Sequence, residues 1–513
     1  MPMLARLLLL VSALVCVAWF VHALGYWEDD AYIHLEFARS VATGKGFAFN
    51  GRVVYGDTSP LWVLLLVAAH SVIPGWIAAG KTLTAVMAVF ALTGAYGFSR
   101  SLVQRWLTPA QSALFAATML LIFVVSPYFG YWAFSGMEAL LAGGVVCWAL
   151  LAVAPQEITT GRFLAAALLG GLAPVLRPEM SFFTLLLGLL LLERLWRMRV
   201  AMGQRLALLA AGLVLIATPT LLWARYALRT FGMVVPNTNA AKRTGPGDSV
   251  VKHLLEIYTF GFPVVVLGLL LLAVWGGWYV VRGRAQQRNP AQQWNPAQRE
   301  PVLPTLPAGG WLLFVWTAIN CVFYVVDHTY VQTRYIFVTA PLLTIALLAL
   351  AALRAPRVYR GLVAFALVFG VVFSALATWP LVTAKKQVDA IYAQLAAYLH
   401  TLPPQAGVAH YSIGEAAFLS QHTIVDTGGI TRPTIIPYMA DGSDDRRASW
   451  VYSQGAQYWV IDHAPLPGAT LVWSQRLPST RWTLHLGKSH DFDWLMLWKL
   501  PPQPSSGPGA PLP

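Results

Sequence analysis

Charged residues are scarce in this sequence, at 11% of 513 positions against 57% hydrophobic, and the mean hydropathy is +0.59. A soluble domain carries about 25% charged residues, so the composition excludes an ordinary soluble fold and implies a polytopic membrane protein. Acidic charge is the rarer kind: 22 Asp and Glu stand against 35 Lys and Arg, a formal charge of +13. That excess does not mark a nucleic-acid partner, because the basic residues fall in short clusters between apolar runs, where they act as topology signals. Cysteine is nearly absent. Cys16, Cys147 and Cys321 all lie in apolar runs without CxxC spacing, which argues against a disulfide framework or a zinc site. An internal repeat is also missing, which disfavours an inverted-repeat transporter.

Long apolar runs dominate what is present. A span needs roughly 20 apolar residues. The candidates are 4–25, 78–98, 109–127, 137–154, 162–176, 179–192, 206–224, 260–281, 309–326, 335–353 and 361–380. The first reads as an uncleaved helix, being longer than a usual signal-peptide h-region. The run 60–73 is too short to cross and reads as juxtamembrane or re-entrant. With that choice, the loops bearing Arg6, Arg100 and Arg105, Arg162, the Arg194–Arg205 cluster, the Arg282–Arg299 cluster and Arg354–Arg360 share one side. The positive-inside rule makes that side cytoplasmic. Eleven spans result, with the N-terminus in and the C-terminus out.

The unusual polar residues then collect outside. Glu28-Asp29-Asp30 follows the first span, and Asp29 or Asp30 is expected to cap a juxtamembrane helix running to Ala42 and ending at Thr43-Gly44. Ile33, Phe37 and Val41 would share a face lying on the membrane. A carboxylate at this boundary can also act as a base toward a sugar hydroxyl. On the same side are Ser135-Gly136-Met137-Glu138, Arg177-Pro178-Glu179, Pro236-Asn237-Thr238 through Lys242, Asp327-His328 and Gln332-Thr333-Arg334-Tyr335. Glu138 and Glu179 start helix ends, where a carboxylate meets the helix dipole favourably. Arg177 reads equally as a snorkelling arginine, and Asp57 as a turn residue.

The organisation expected is a transmembrane domain over 1–383 with a juxtamembrane loop 26–77, then an extracytoplasmic α/β domain over 384–500. A disordered tail, 501–513, ends the chain, and 282–307 is a low-complexity inner linker. Residues 385–400 read as an amphipathic helix. Short apolar runs at 407–409, 423–425 and 458–461 read as strands. Tyr411, Trp450, Tyr452, Tyr458 and Trp459 could stack on sugars, with a core role the better expectation.

The acidic pair after the first span, Gly44-Lys45-Gly46-Phe47, Tyr55-Gly56-Asp57-Thr58-Ser59-Pro60-Leu61-Trp62 and the later outer segments together resemble the GT-C glycosyltransferases. Within them, the sequence is most similar to the arabinan-terminating arabinofuranosyltransferase group of actinobacteria, including at Ser412-Ile413-Gly414-Glu415-Ala416-Ala417. It departs where that group has a Gly-Asp-Ala-Gly-like run, here Ile413-Gly414-Glu415-Ala416, and at Asn239, where a Tyr often follows Pro-Asn-Thr. The resemblance implies an α-helical polytopic GT-C fold and inverting transfer of a sugar, arabinofuranose within this group, from a polyprenyl-phosphate donor to a cell-envelope glycan outside the cell membrane.

It further implies Asp29 as base, with Asp30 orienting it or contacting acceptor or metal. The expected phosphate ligands are Arg177, Lys242 and Arg334. Tyr32, Glu138, Glu179, Asn237 and His328 are the expected substrate contacts. No cofactor is specified; a divalent cation remains open, with Asp29 or Asp30 as its only named ligands. The rival reading is a lipid or lipid-linked-glycan transporter, which would more naturally place ionisable groups within the spans and on both faces.

Overall fold

The computed structural model describes residues 1–243, 249–274, 306–439, 444–478 and 493–502. Helices form the bulk of the chain, and a small mixed sheet closes its C-terminal part. Six helices are long and apolar enough to cross a membrane: Met3–His22, Trp76–Val103, Met202–Phe231, Ala308–Val326, Thr333–Arg354 and Pro356–Leu399. Val250–Gly261 and Pro263–Val274, bent by 101° to each other, make a seventh if counted as one span. The expected spans at 109–127, 137–154 and 162–176 are helices of 16, 15 and 17 residues, short of the roughly 20 needed to cross without help. The span expected at 179–192 lies in Ser181–Arg197, which carries Glu193, Arg194 and Arg197 in its last turns. The count by length and composition is therefore six or seven among the described residues, which does not confirm the eleven expected. Pro60–Val72, only 13 residues long, is a separate short helix. Most of the inner linker, the end of the 260–281 run and the tail from 503 lie outside the described residues.

Two features fix the end of the bundle that carries Glu28. Lys81, buried in the Trp76–Val103 helix, donates to the carbonyls of Ala23 at 2.8 Å, Tyr26 at 2.5 Å and Phe134 at 2.7 Å. Its ammonium also stands 4.8 Å from the Trp27 ring. A lone lysine in an apolar run is thus satisfied by three backbone carbonyls, and it ties the segment before Glu28 to the segment before Glu138. Gly136 permits the close packing: its φ is +89°, and a Cβ there would lie 1.8 Å from the Trp27 ring. The Gly136 carbonyl accepts from the Trp62 indole at 3.0 Å.

The Asp29–Ala42 helix starts after Glu28, whose backbone is extended and whose amide donates to the Ser135 carbonyl at 3.0 Å. Neither aspartate caps it with a side-chain hydrogen bond to its own helix, contrary to expectation, because both carboxylates turn to partners elsewhere in the chain. Nor does the helix lie on lipid. Residues 31–38 are all buried, with Phe37 packed near Phe47 and near Phe49 of the 48–53 hairpin, and Tyr32 near Phe418.

The helix from Pro356 passes through a π-helical turn at Ser374–Thr378 and continues as Trp379–Leu399, across the expected boundary at 384. It leads into a five-stranded sheet ordered Ile424–Asp426, Gly407–His410, Ala456–Val460, Trp494–Lys499, Thr470–Arg476. The first three strands are parallel and the last two antiparallel. The three strands read from the sequence are there; the antiparallel pair was not foreseen. Trp450, Tyr458 and Trp459 are buried in the packing around the sheet, whereas Tyr411 is 62% exposed.

Candidate active site

The first turn of the Asp29–Ala42 helix carries two carboxylates into different surroundings. Successive helical residues point about 100° apart, so Asp30 and Asp29 meet different surroundings.

Asp30 faces a cavity, with about 370 Å³ of empty space including open solvent, lined by residues from seven segments of the chain. Its Oδ2 meets the Arg334 guanidinium at 2.5 Å and the Lys242 ammonium at 4.0 Å. Burial by itself would raise its pKa, but the charges of Arg334 and Lys242 override that and hold it well below the usual carboxylate range. Two cations share one carboxylate here, which leaves a positive excess at this end of the cavity. Tyr335 completes the group. Its hydroxyl accepts from Lys242 at 3.1 Å, and the Arg177 guanidinium lies 4.8 Å from its ring centre, within cation–π reach.

The adjoining wall is a charge chain. Arg177 pairs with Glu138 at 2.6 Å and with Glu179 at 2.6 Å. Burial of the carboxyl would raise the Glu138 pKa, yet Arg177 and His34 bring it down to about 2. His34 holds Asp57 through Nδ1 at 2.6 Å and faces Glu138 through Nε2 at 3.4 Å. Burial disfavours its charge, but Asp57 and Glu138 together raise its pKa to about 10, so the imidazolium persists at neutral pH. The other oxygen of Asp57 accepts from the Ser59 amide at 2.6 Å. Asp57 is a turn residue, as expected, and an ion-pair partner as well.

Asp29 faces the C-terminal domain. Its Oδ1 accepts from the Glu415 amide at 2.9 Å, at the start of the Ile413–Ser420 helix. The approach is tight enough to require glycine at 414: a Cβ there would lie 2.0 Å from the Asp29 carbonyl oxygen. Burial raises the Asp29 pKa to about 7, opposed by the Glu415 amide and reinforced by the charges of Asp30 and Glu28. Glu415 is itself pushed well above the usual range by burial and by Asp389 and Asp29. Nearby, Glu28 accepts from Tyr131 at 2.6 Å and Tyr26 at 2.9 Å, and the Trp27 amide donates to Asp389 at 2.8 Å.

Of the residues expected from sequence, Asp30, Arg177, Lys242, Arg334 and Glu138 line one cavity, with Glu179 behind Arg177. Asp29 sits beside it on the domain side. Tyr32 is buried against Trp27 and Phe418, away from the cavity. Asn237 starts the short Asn237–Ala241 helix and donates its amide to the Tyr55 carbonyl at 2.9 Å, while its neighbour Thr238 lines the cavity. His328 is an exposed turn residue at φ 53° and does not line the cavity. Its neighbour Asp327 instead pairs with Arg243 at 3.2 Å and accepts from Thr329 at 2.6 Å. Sequence reading passed over His34, Tyr335 and the amide of Glu415. His34 carried a usable signal, one turn after Asp30 on a helix already suspected of chemistry. No group of three or more His, Cys, Asp and Glu suited to a metal ion occurs among the described residues.

No family model matches the chain, and no curated protein matches it. Solved structures do. The chain is similar to ArnT from Cupriavidus metallidurans bound to undecaprenyl phosphate, with a TM-score of 0.55 at 16% identity over 98% of this chain and 99% of that one. The apo state of the same protein gives a TM-score of 0.56 at 15% identity, covering 96% and 97%. This chain therefore shares the overall fold of that ArnT structure. Likeness at this level of identity establishes fold alone.

Proposed function

We propose that this protein is an inverting glycosyltransferase that uses a polyprenyl-phosphate sugar and acts on the extracytoplasmic side of a cell membrane. The observation carrying the reading is the separation of roles between adjacent carboxylates. Asp29 has a pKa of about 7, fit for a base at neutral pH, while Asp30 stays ionised among Arg334 and Lys242. The solved ArnT structure with undecaprenyl phosphate supports the lipid-phosphate class. Resemblance in sequence motifs supports arabinofuranose as the sugar and a cell-envelope glycan as the acceptor.

In this mechanism the acceptor hydroxyl attacks the anomeric carbon and gives its proton to Asp29. The bond from that carbon to the phosphate oxygen breaks with inversion, and polyprenyl phosphate leaves with the electron pair. Arg334, Lys242 and Arg177 meet the charge developing on the phosphate. Asp30 orients the first two rather than taking a proton, because a strongly acidic carboxyl is a weak base. The Glu415 amide fixes the Asp29 rotamer, so the C-terminal domain becomes part of the base's support.

The test is transfer of radiolabel from polyprenyl-phosphate arabinofuranose, and from a panel of other lipid-linked sugars, to an oligosaccharide acceptor by the purified protein. Transfer from one donor, reduced about 10²–10⁴-fold in a folded Asp29→Asn variant, is the expected outcome. Undiminished transfer by that variant refutes the base assignment; no transfer from any donor refutes the reading.

A further inference from the structure

The buried polar wall beside Asp30 contains two atoms that face each other as an ion pair but make no hydrogen bond. Glu138 spends Oε1 on Arg177 at 2.6 Å, and His34 spends Nδ1 on Asp57 at 2.6 Å. Their remaining atoms, Nε2 of His34 and Oε2 of Glu138, stand 3.4 Å apart. That is longer than an N–H···O hydrogen bond normally spans, and neither atom has a hydrogen-bond partner among the described residues. Both side chains are more than nine-tenths buried, and both line the cavity. A third buried atom, Oγ1 of Thr238, lines the same cavity and is likewise without a hydrogen-bond partner.

Buried polar atoms are ordinarily paired, so these three unpaired ones, on a cavity that also holds the unpaired Arg334 Nε, point to a ligand that pairs them. Their chemistry narrows its class. Asp57 accepts a hydrogen bond from Nδ1–H, and a lone pair on Nε2 would face the Glu138 carboxylate, so Nε2 carries hydrogen as well. The pair then offers one donor and one anionic acceptor at contact distance. A phosphate oxygen would be repelled by the carboxylate, and an ammonium by the imidazolium. A hydroxyl satisfies both: it accepts from Nε2 and donates to Oε2 through one oxygen. We infer that His34 and Glu138, with Thr238 beside them, form a hydroxyl-recognition subsite that selects the sugar of the donor. This inference rests on the proposed function and identifies the part of the cavity that reads the sugar, as distinct from the cations that hold phosphate.

The wall is also held rigid. Arg177 fixes Glu138, Asp57 fixes His34, and the Ser59 amide fixes Asp57. A site built to hydrogen-bond a hydroxyl rejects a ligand lacking it far more strongly than an apolar pocket rejects a change of size.

Binding to the purified full-length protein in detergent tests the inference without catalysis. The probes are farnesyl phosphate, farnesyl-phosphoryl pentoses and hexoses, and singly deoxygenated versions of whichever sugar binds best. The wild type is expected to bind one sugar-bearing probe more tightly than farnesyl phosphate. One deoxy probe is then expected to lose roughly ten- to a hundredfold in affinity. In His34→Phe, the parent sugar and that deoxy probe should bind equally, while farnesyl phosphate binding persists. Non-additivity of this kind is what direct contact produces. The deoxy series on the wild type stands even if His34→Phe does not fold. Equal binding by every deoxy probe, no added affinity from any sugar, or a sugar preference retained in folded His34→Phe overturns the subsite. If farnesyl phosphate itself does not bind, the lipid-phosphate reading fails, and the subsite falls with it.

Discussion

Two polar regions flank the first turn of the Asp29–Ala42 helix, and they are balanced in opposite directions. In the cavity, one carboxylate, Asp30, is outnumbered by Arg334 and Lys242. At the seam with the C-terminal domain, Asp29 stands near Glu28 and Glu415, with Asp389 acting on Glu415 and Lys385 as the cation beside them. The result is two neighbouring aspartates on opposite sides of the normal pKa. What separates them is not residue type or helical position but which distant segments pack against each face. A carboxylate among cations stays charged and can orient them; a carboxylate desolvated among other acids holds a proton until neutral pH and can exchange it.

The seam can be broken at its tightest point. Gly414→Ala places a methyl group against the Asp29 carbonyl oxygen, and the Ile413–Ser420 helix must move away. Misplacement of about 1 Å costs on the order of 10²-fold in rate, so transfer should fall about a hundredfold with farnesyl phosphate binding nearly unchanged. Parallel measurement of kcat and of lipid binding checks this.

The cavity can be broken separately. Arg334→Met leaves Asp30 with Lys242 alone at 4.0 Å, and affinity for farnesyl phosphate should fall roughly ten- to a hundredfold. A direct binding titration reads it, and unaltered affinity would remove Arg334 from the phosphate site.

Much of this was legible in the chain. The apolar runs located the helices, and three short apolar segments punctuated by glycine and proline coincide with three of the strands, though not their pairing. The polar residues on one predicted side did converge, as shown by Asp30, Glu138, Arg177, Lys242 and Arg334 around one cavity. What could not be read is pairing across sequence distance. His34 finds Glu138 more than a hundred residues later, and Asp29 finds the Glu415 amide 386 positions away. Nothing local marks Asp29 as the one facing another domain, so the two aspartates look interchangeable as text. Helix capping failed as an expectation for the same reason: both side chains had stronger partners elsewhere. The span count exceeded the long helices because runs such as 137–154 give helices of ordinary core length.

A smaller effect sharpens the comparison. Glu28 raises the Asp29 pKa through its charge, so Glu28→Gln should lower it and move the bend in the pH–rate profile to lower pH. The shift should be less than one unit, because burial is the larger cause, and the plateau rate should change little.

The most direct test of the central claim is the wild-type transfer rate between pH 5 and 9 at saturating donor. The base must be deprotonated to act, so below its pKa the rate should fall tenfold for each unit of pH, and above it the rate should level. The account predicts a single bend near pH 7, set by Asp29. A rate that stays flat down to pH 5 would mean the base has an ordinary carboxylate pKa, and would contradict the assignment of neighbouring carboxylates to opposite roles.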